Sequence, residues 1–543
     1  MLFKKMLFVP TVLLIVVLLM TACKPGSPTE TPAVDQPAVS EEPVHGGKLV
    51  MAIADLTHLD PVSIAGDTEL YPLVYETLFE FDENWHPQPL LVKSVEISED
   101  GKIHTWKLQE GIKFTDGSPF NAEVVKWNID RKIEQQSAYA DSIPWADDPV
   151  KVLDVFTVEV TLKEASFPMY NFLSGSSYAM YSKDWVESVT PDDLKNKMVG
   201  TGPFIVTDYL PNERVNLKRN TDYWQEGLPY LDEIEMRIVT DPNTRLMMLE
   251  SGEVHWVNNL SIQDIERLEA NDTVAVSTAP STRTYFITMH NLRPPFDNVN
   301  VRKAFSLAVD KELMNETIFE GRYQISTGVA TTYVQGYSRM EPYPYDPEES
   351  KRLLENAGLV DTNGDGYREL DGKEHAFLLV TRKGQRPGDI EIAEQFQAFM
   401  KEVGINIQVE VWDTAQYFTK LNQPFGEAPF YELSNQAPSA FTGDMQYPLT
   451  TVYSCWSFPG NFYNYSHYCN EDVDTLIRQG DVAGTLEERN TIYAQAQEMI
   501  WNDIPTIWLF DGILSLGYSP NLMGVYSDGA HQIWQVKYAW LAK

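Results

Sequence analysis

The chain has 543 residues, with 42 Lys and Arg against 78 Asp and Glu, a formal net charge of −36. So acidic a surface excludes nucleic acid as a partner, which needs a cationic face, and excludes docking of the body onto anionic lipid. Hydrophobic residues make up 43%, which suits ordinary globular cores, and the length allows about two to four domains.

In chain order, Lys4 and Lys5 precede an apolar run from Met6 to Ala22, broken by Pro10, Thr11 and Thr21. This is the layout of a secretory signal. Cys23 follows the small Ala22, and Leu-Met-Thr-Ala-Cys resembles a bacterial lipobox with Met20 where Leu is usual. The reading is a signal peptide over 1–22 and a lipid on Cys23, with an ordinary membrane anchor as the alternative. The run is slightly short for a spanning helix. Everything after Cys23 is then extracytoplasmic, held by lipid at the cell membrane, on its periplasmic or cell-surface side. Residues 23–45 include KPGSPTETPAVDQPAVSEEP, which has no apolar period and reads as a disordered tether. The folded body begins near Gly46, where GGKLVMAIADL predicts a strand.

Helix and strand signals alternate from there on, which predicts a mixed α/β fold. Asp116-Gly117 predicts a turn, and Asn121 caps a helix that buries Val124, Val125, Ile129 and Ile133. Asn300 caps another, burying Ala304, Phe305, Leu307 and Ala308. Asp346, Pro347 and Glu349 open a helix that closes at Gly358. After it, Asp361, Asn363 and Asp365 with Gly366 match the start of a calcium loop, and Tyr367 and Glu369 would continue it. Position twelve is Gly372, where a bidentate Glu is required, so a Gly/Asn/Asp turn is the leading reading and structural calcium the other. His375 to Thr381 reads as a strand. Ile392, Phe396, Phe399, Met400 and Val403 share a helix face ending at Gly404, and Ile405, Ile407, Val409 and Val411 alternate as a strand. Thr485 with Glu488 forms a capping box for a helix to about Trp501, and Ile504–Leu516 reads as a buried strand.

No nucleophile elbow, HExxH, phosphate loop or CxxC occurs, and the nine His are scattered. The reading is therefore not an enzyme, with no cofactor. A lipid-anchored hydrolase is the alternative, resting only on abundant carboxylates and aromatics. Beyond Cys23, Cys455 and Cys469 form an even pair in an oxidising compartment, which predicts one disulfide, with two free buried thiols as the alternative. Thirteen Trp, 27 Tyr and 24 Phe are present. Several stand in polar, loop-like stretches suited to stacking on a solute in a cleft.

TWKLQEGIKFTDGSPFNAEVVKWNIDR at 105–131, GTGPF at 200–204 and RNTDYWQEGLPYLDEI at 219–234 follow one another. NLRPPFDNVNVRKAFSLAVDK at 291–311, YDPEESKRLLENAG ending at Gly358, and IAEQFQAFMKEVGINI ending at Ile407 come after. In this order the blocks resemble the solute-binding lipoproteins of ABC importers, the peptide/nickel (family 5, cluster C) class, over nearly the whole mature chain. The resemblance implies a two-lobed α/β fold of the periplasmic-binding-protein type II kind, with an inserted third domain and a ligand cleft between the lobes. Lobe one would comprise 46–81, 200–289 and 511–543, the inserted domain 82–199, and lobe two 290–510.

It also implies a monomeric receptor that closes on a peptide-like solute and delivers it to a permease and its ATPase. Oligosaccharide and metal-chelate binders belong to the same class, and a signalling or chaperone role would use the same fold. In oligopeptide and dipeptide binders a Trp-x-x-Asp stretch grips the peptide's α-ammonium. Here Pro438 and Phe441 stand at those positions. PSAFTGD, with Asp444, looks more like the form in relatives assigned to glutathione-type peptides. YSCWSFPGNFYNYSHYC resembles the dipeptide binders, whose matching cysteines are disulfide-bonded. The cleft residues so expected are Trp412, Tyr417, Asn435, Gln436, Ser439, Phe441, Asp444, Trp456 and Tyr463.

Overall fold

The computed structural model describes residues 42–54, 56, 59–60, 69–82, 85–136, 140–383, 386–423, 431–459, 463–525 and 535–542. The leader, Cys23 and nearly all of the tether lie outside the described residues. All the described residues fall in one compact unit, 41–543. No helix among them is long and apolar enough to cross a membrane.

An 11-stranded sheet runs through the molecule. Its order is Ile407–Trp412, Phe377–Arg382, Leu433–Gln436, Ala275–Met289, Thr506–Tyr518, Trp256–Asn258, Lys48–Ile53, Glu233–Ile238, Arg214–Arg219 and Phe204–Leu210. Gln324–Ile325 adds against Thr506–Tyr518. The two longest strands, Ala275–Met289 and Thr506–Tyr518, pair antiparallel from Ala275↔Tyr518 to Thr288↔Thr506. At one end Phe286 to Met289 pair with Leu433–Gln436. At the other, Leu516 to Tyr518 pair with Trp256–Asn258. The sheet is thus two lobes joined by two crossing strands. Their register shifts between Pro280 and Thr284 and again between Tyr285 and Phe286. Irregularities of this kind bend and twist a ribbon locally.

A separate four-stranded sheet has the order Val92–Ile97, Ile103–Leu108, Thr157–Leu162, Trp145–Asp154. The Ala122–Glu134 helix packs on it, capped as expected by Asn121, whose Oδ1 accepts from the Val124 amide at 3.1 Å. Val124, Val125 and Ile129 are buried; Ile133 is only partly so. The same face buries Asn128 and Lys132, held by the Tyr181 and Ser177 carbonyls at 3.0 and 2.7 Å.

The other helices appear as Pro347–Asn356, Asp389–Glu402 and Leu486–Asp503, and the two late strands as Ile407–Trp412 and Thr506–Tyr518. Two caps differ from expectation. Asn298, not Asn300, caps the Val299–Leu307 helix: its extended backbone turns its side chain onto the Asn300 amide at 3.0 Å, so Asn300 is already inside the helix. Thr485 does accept from the Glu488 amide at 3.2 Å, but the Glu488 carboxylate takes the Gly484 amide instead of closing the box on Thr485.

The Gly200-Thr-Gly202 segment has a steric reason. A Cβ on Gly200 would lie 2.0 Å from the Val74 carbonyl oxygen, and one on Gly202 2.7 Å from the same peptide unit. Backbone meets backbone here, and the Gly202 amide donates to Val74 at 2.9 Å. Gly200→Ala is therefore expected to cost about 1–3 kcal/mol, the range for forced overpacking. A urea midpoint equal to the wild type would refute this account.

Candidate functional site

Three parallel strands of lobe two, Phe377–Arg382, Ile407–Trp412 and Leu433–Gln436, run in register. Their last residues are Arg382, Trp412 and Gln436. In open α/β sheets solutes bind beyond the carboxyl ends of parallel strands, and the polar side chains gather there. The Asp389–Glu402 helix starts directly afterwards. Gly388 turns the chain into it at φ 81°, and a Cβ at that position would meet the Phe319 ring at 2.6 Å.

Arg382 is 1% exposed. Its guanidinium lies 5.2 Å from the Tyr417 ring centre and 4.9 Å from that of Phe418. Its Nε is 3.4 Å from Asp389 Oδ2, an ion pair in which, among the described residues, neither that oxygen nor any of the three guanidinium nitrogens makes a hydrogen bond. Burial raises the Asp389 pKa to about 6, against the opposing pull of Arg386 and Arg283. The Tyr417 hydroxyl donates to the Asn435 carbonyl at 2.6 Å and accepts from Gln436 Nε2 at 2.6 Å. Burial also drives the Tyr417 phenol far above its ordinary pKa, so it stays neutral. Asn435 Nδ2 donates to the Asp389 carbonyl at 2.9 Å, tying the strand end to the helix start. Trp412 is pinned by Glu410, which accepts from Nε1 at 3.0 Å, and by Lys420 at 4.0 Å over its ring.

The nine expected residues divide by place. Trp412, Tyr417, Asn435 and Gln436 meet around Arg382, and Tyr463 packs against the same aromatic cluster with Tyr431 and Tyr465. Ser439 lies against the crossing ribbon, hydrogen-bonded to Thr282 at 2.7 Å and bridged to Arg283. Phe441 stands edge-on to Tyr447 at 4.5 Å. Next to it, Asn171 Nδ2, on the Met169–Leu173 helix, donates to the Thr442 carbonyl at 2.8 Å. Asp444 is 1% exposed and its carboxylate is taken by Arg489 and by the Gln446 amide. Trp456 is 38% exposed, with Arg478 over its ring at 5.3 Å. Arg283, Arg382, Arg386 and Asp389 were not singled out from the sequence. The available signal was Thr381-Arg382, a cation closing an apolar strand, followed by Arg386 before Gly388-Asp389.

Cys455 and Cys469 are joined in a disulfide with Cα atoms 4.4 Å apart. In the 361–372 loop the carboxylates serve the loop itself. Asp361 accepts from the Gly364 and Gly366 amides, Asp365 from the Tyr367 amide, and Glu369 from the Thr362 amide and hydroxyl. Among the described residues no group of three or more His, Cys, Asp or Glu is arranged to hold a metal.

The family model for bacterial extracellular solute-binding proteins, family 5 Middle, matches residues 86–459. A glutathione-binding protein, GsiB, of Escherichia coli O1:K1 is 29% identical over 492 residues, 88% of this chain and 92% of its own length. Among solved structures, DppA from Helicobacter pylori in complex with the peptide STSA superposes with a TM-score of 0.78 at 24% identity, covering 92% of this chain and 99% of that one. AppA from Bacillus subtilis, in complex with a nonapeptide, gives 0.80 at 22%, covering 92% and 100%. NikA from Brucella suis, in complex with Fe(III)-EDTA, gives 0.80 at 21%, covering 91% and 100%. These structural likenesses concern the fold.

Proposed function

This chain belongs to the bacterial extracellular solute-binding proteins of family 5, and from that premise we propose that it is the receptor of an ABC importer, closing its lobes on a peptide or peptide-like solute. Residues 46–81, 200 to about 280, and 511–543 form lobe one in this reading, 82–199 the inserted domain, and the remainder to 510 lobe two. The lobe boundary is moved from 289 to the register shift at 280–284, because Phe286 to Met289 share the sheet of Leu433–Gln436. Hinge motion would occur about that ribbon. Lipid on Cys23 and the tether would keep the monomeric receptor near its permease, raising the local concentration.

The observation that carries the reading is Arg382. Arg382 is paired with Asp389 at 3.4 Å, but among the described residues its N–H groups make no hydrogen bond, and a buried guanidinium so poorly satisfied gains from a further acceptor. It sits where the strands end, beside aromatic faces, so a solute carboxylate completes it. Trp412, Tyr417, Gln436, Ser439, Phe441 and Tyr463 would surround the solute, while Asn435 orients the helix start. Asp444 and Trp456 are assigned to the fold and the surface.

Arg382→Gln is expected to weaken peptide binding at least about 30-fold, the loss typical of truncating one partner of a buried charge pair, with some loss of thermal stability because buried Asp389 loses its partner. Calorimetric titration of small peptides into wild type and variant checks it. Unchanged affinity in the variant would remove Arg382 from the site. A protein whose melting shifts with no peptide, oligosaccharide or metal chelate would overturn the receptor reading.

A further inference from the structure

The inserted domain reaches lobe two at three places. Asn171, on the Met169–Leu173 helix, donates through Nδ2 to the Thr442 carbonyl at 2.8 Å. Both residues are buried, at 4% and 1% exposure. The Phe167 ring centre lies 5.7 Å from the Arg489 guanidinium. Trp85 stands edge-on to Tyr333 with ring centres 5.5 Å apart, and Phe81 joins them in a small apolar cluster separate from the main core.

Two of the landing points share one surface of lobe two, and the third is tied to it. The Gln335 amide donates to the Gly443 carbonyl at 2.8 Å, and the Met445 amide donates to the Gln335 carbonyl at 2.9 Å. The segment after Tyr333 therefore runs beside Thr442-Gly443-Asp444, and Asp444 holds Arg489. That stretch continues directly from Ser439 and Phe441 of the candidate site. On the other side, the inserted domain is fixed to lobe one. The Met180 amide donates to the Glu76 carbonyl and the Thr115 amide to the Gly200 carbonyl, each at 2.9 Å. Lobe one and the inserted domain thus face lobe two as one body.

Two of the reaching side chains are costly to present. Asn171 shares its short helix with buried Met169, Phe172 and Leu173, and a buried amide requires a partner. The partner of its Nδ2 lies 271 positions along the chain. Trp85 is held at φ 65°, an outlier for so bulky a side chain. It sits at the tip of the hairpin formed by Phe79–Phe81 and Pro87–Pro89. There its amide donates to the Asp82 carbonyl at 3.0 Å, and Asp82 Oδ1 accepts from the His86 amide at 3.0 Å. Strain of this kind gathers at clamps and switches.

We propose that the inserted domain is the latch of the receptor: Trp85, Phe167 and Asn171 dock on the Tyr333, Arg489 and Thr442 surface and hold lobe two closed. This rests on the receptor reading above and assigns a task to the third domain. All three contacts join protein to protein, so the latch populates the closed form before a solute arrives. The solute then adds to a closure already under way.

The test is the distance distribution between spin labels on the full mature chain, with no solute added. Glu187→Cys in the inserted domain and Glu487→Cys in lobe two are exposed labelling positions. A peak at the separation of this structure is expected, beside a longer, open one. Trp85→Ala and Asn171→Ala should each lower the closed-to-open ratio about 3–10-fold, the worth of one aromatic pair or one hydrogen bond. Together the effects should multiply. Trp85→Phe should restore most of the ratio, which a merely misfolded hairpin would not. Arg322→Gln breaks an exposed pair with Glu269, on a helix of lobe one, and should change the ratio less than about threefold. Circular dichroism checks that each variant folds. A wild type with no closed peak overturns the latch, as does a ratio that ignores Trp85→Ala and Asn171→Ala. An equal loss from Arg322→Gln would assign closure to the lobes at large and also overturn it. No binding enters this measurement, so a failed latch leaves the receptor reading standing. A chain that latches yet binds nothing in the titrations above keeps the latch and loses the receptor.

Discussion

Arg489→Met should destabilise the protein by about 3–5 kcal/mol, the cost of leaving one member of a buried ion pair without its partner. Asp444 and Arg489 are 1% and 0% exposed and in direct contact. Burial pulls the Arg489 pKa down, but Asp444 and Tyr493 more than offset it, so the cation is held firmly. The guanidinium also lies 4.4 Å over Tyr493 and 5.7 Å over Phe167. With Met at 489 the carboxylate keeps, among the described residues, the Gln446 amide at 2.8 Å, and Asp481 nearby adds like charge when ionised. Burial holds Asp481 at about 6, so at neutral pH that repulsion is present. Replacing both members, Arg489→Met with Asp444→Leu, should recover most of the loss, since a well-packed apolar pair is often as stable as a buried ionic one. Urea denaturation of the two singles and the double closes the cycle. A loss below about 1 kcal/mol in Arg489→Met would mean the pair is already solvated.

That result bears on how much of the site could be read without coordinates. The resemblance offers Asp444, the end of PSAFTGD, both as a structural Asp and as a cleft carboxylate, and a motif cannot say what a helix 45 positions later will bring. Trp412 and Tyr417 stand out in the sequence as aromatics in loop-like stretches, whereas Gln436 enters only through the family resemblance; the structure brings the three together, with Tyr417 bonded to Gln436. Arg382 does not stand out. An arginine closing an apolar strand reads as a solvated end, and only Tyr417 and Phe418, folding back from the Thr414–Leu421 helix, seal it. Local signals decided the helices well, since caps and apolar stripes act within one turn. The exceptions were also local: Asn298 against Asn300, and the Glu488 carboxylate choosing Gly484, are contests between near-equivalent acceptors and donors that spacing alone does not rank.

Asp511→Asn should stabilise the protein, and by more as the pH rises. Asp511 lies on the crossing ribbon opposite Thr284 and Gln324, and is 2% exposed. Ser326 Oγ donates to Oδ1 at 2.8 Å, while among the described residues Oδ2 makes no hydrogen bond. Burial raises its pKa from 3.8 to about 7, with Ser326, the Thr332 backbone and Thr284 opposing. Tyr333 and Tyr337 are the titratable neighbours that feel its charge, and among the described residues no cation acts on it. The sign follows from linkage. A carboxyl whose folded pKa lies above its unfolded value favours the protonated native state, so stability falls as pH climbs from about 4 through 7 and then levels. Above that range the ionised group costs roughly 4 kcal/mol, at about 1.4 kcal/mol per unit. Asn keeps an acceptor for Ser326 and carries no charge. The advantage of Asp511→Asn over wild type should therefore widen by about 2–3 kcal/mol between pH 5 and pH 8. Other groups titrate over that interval, but they are common to both proteins and cancel in the difference. Urea unfolding at the two pH values reads it directly. A difference that stays constant would mean Asp511 titrates in its ordinary range, and a difference of opposite sign would mean a cation reaches it. A carboxyl kept at such a cost in the ribbon that joins the lobes marks a place where rigidity would be cheap to gain, and stabilising it is expected to slow closure rather than improve the receptor.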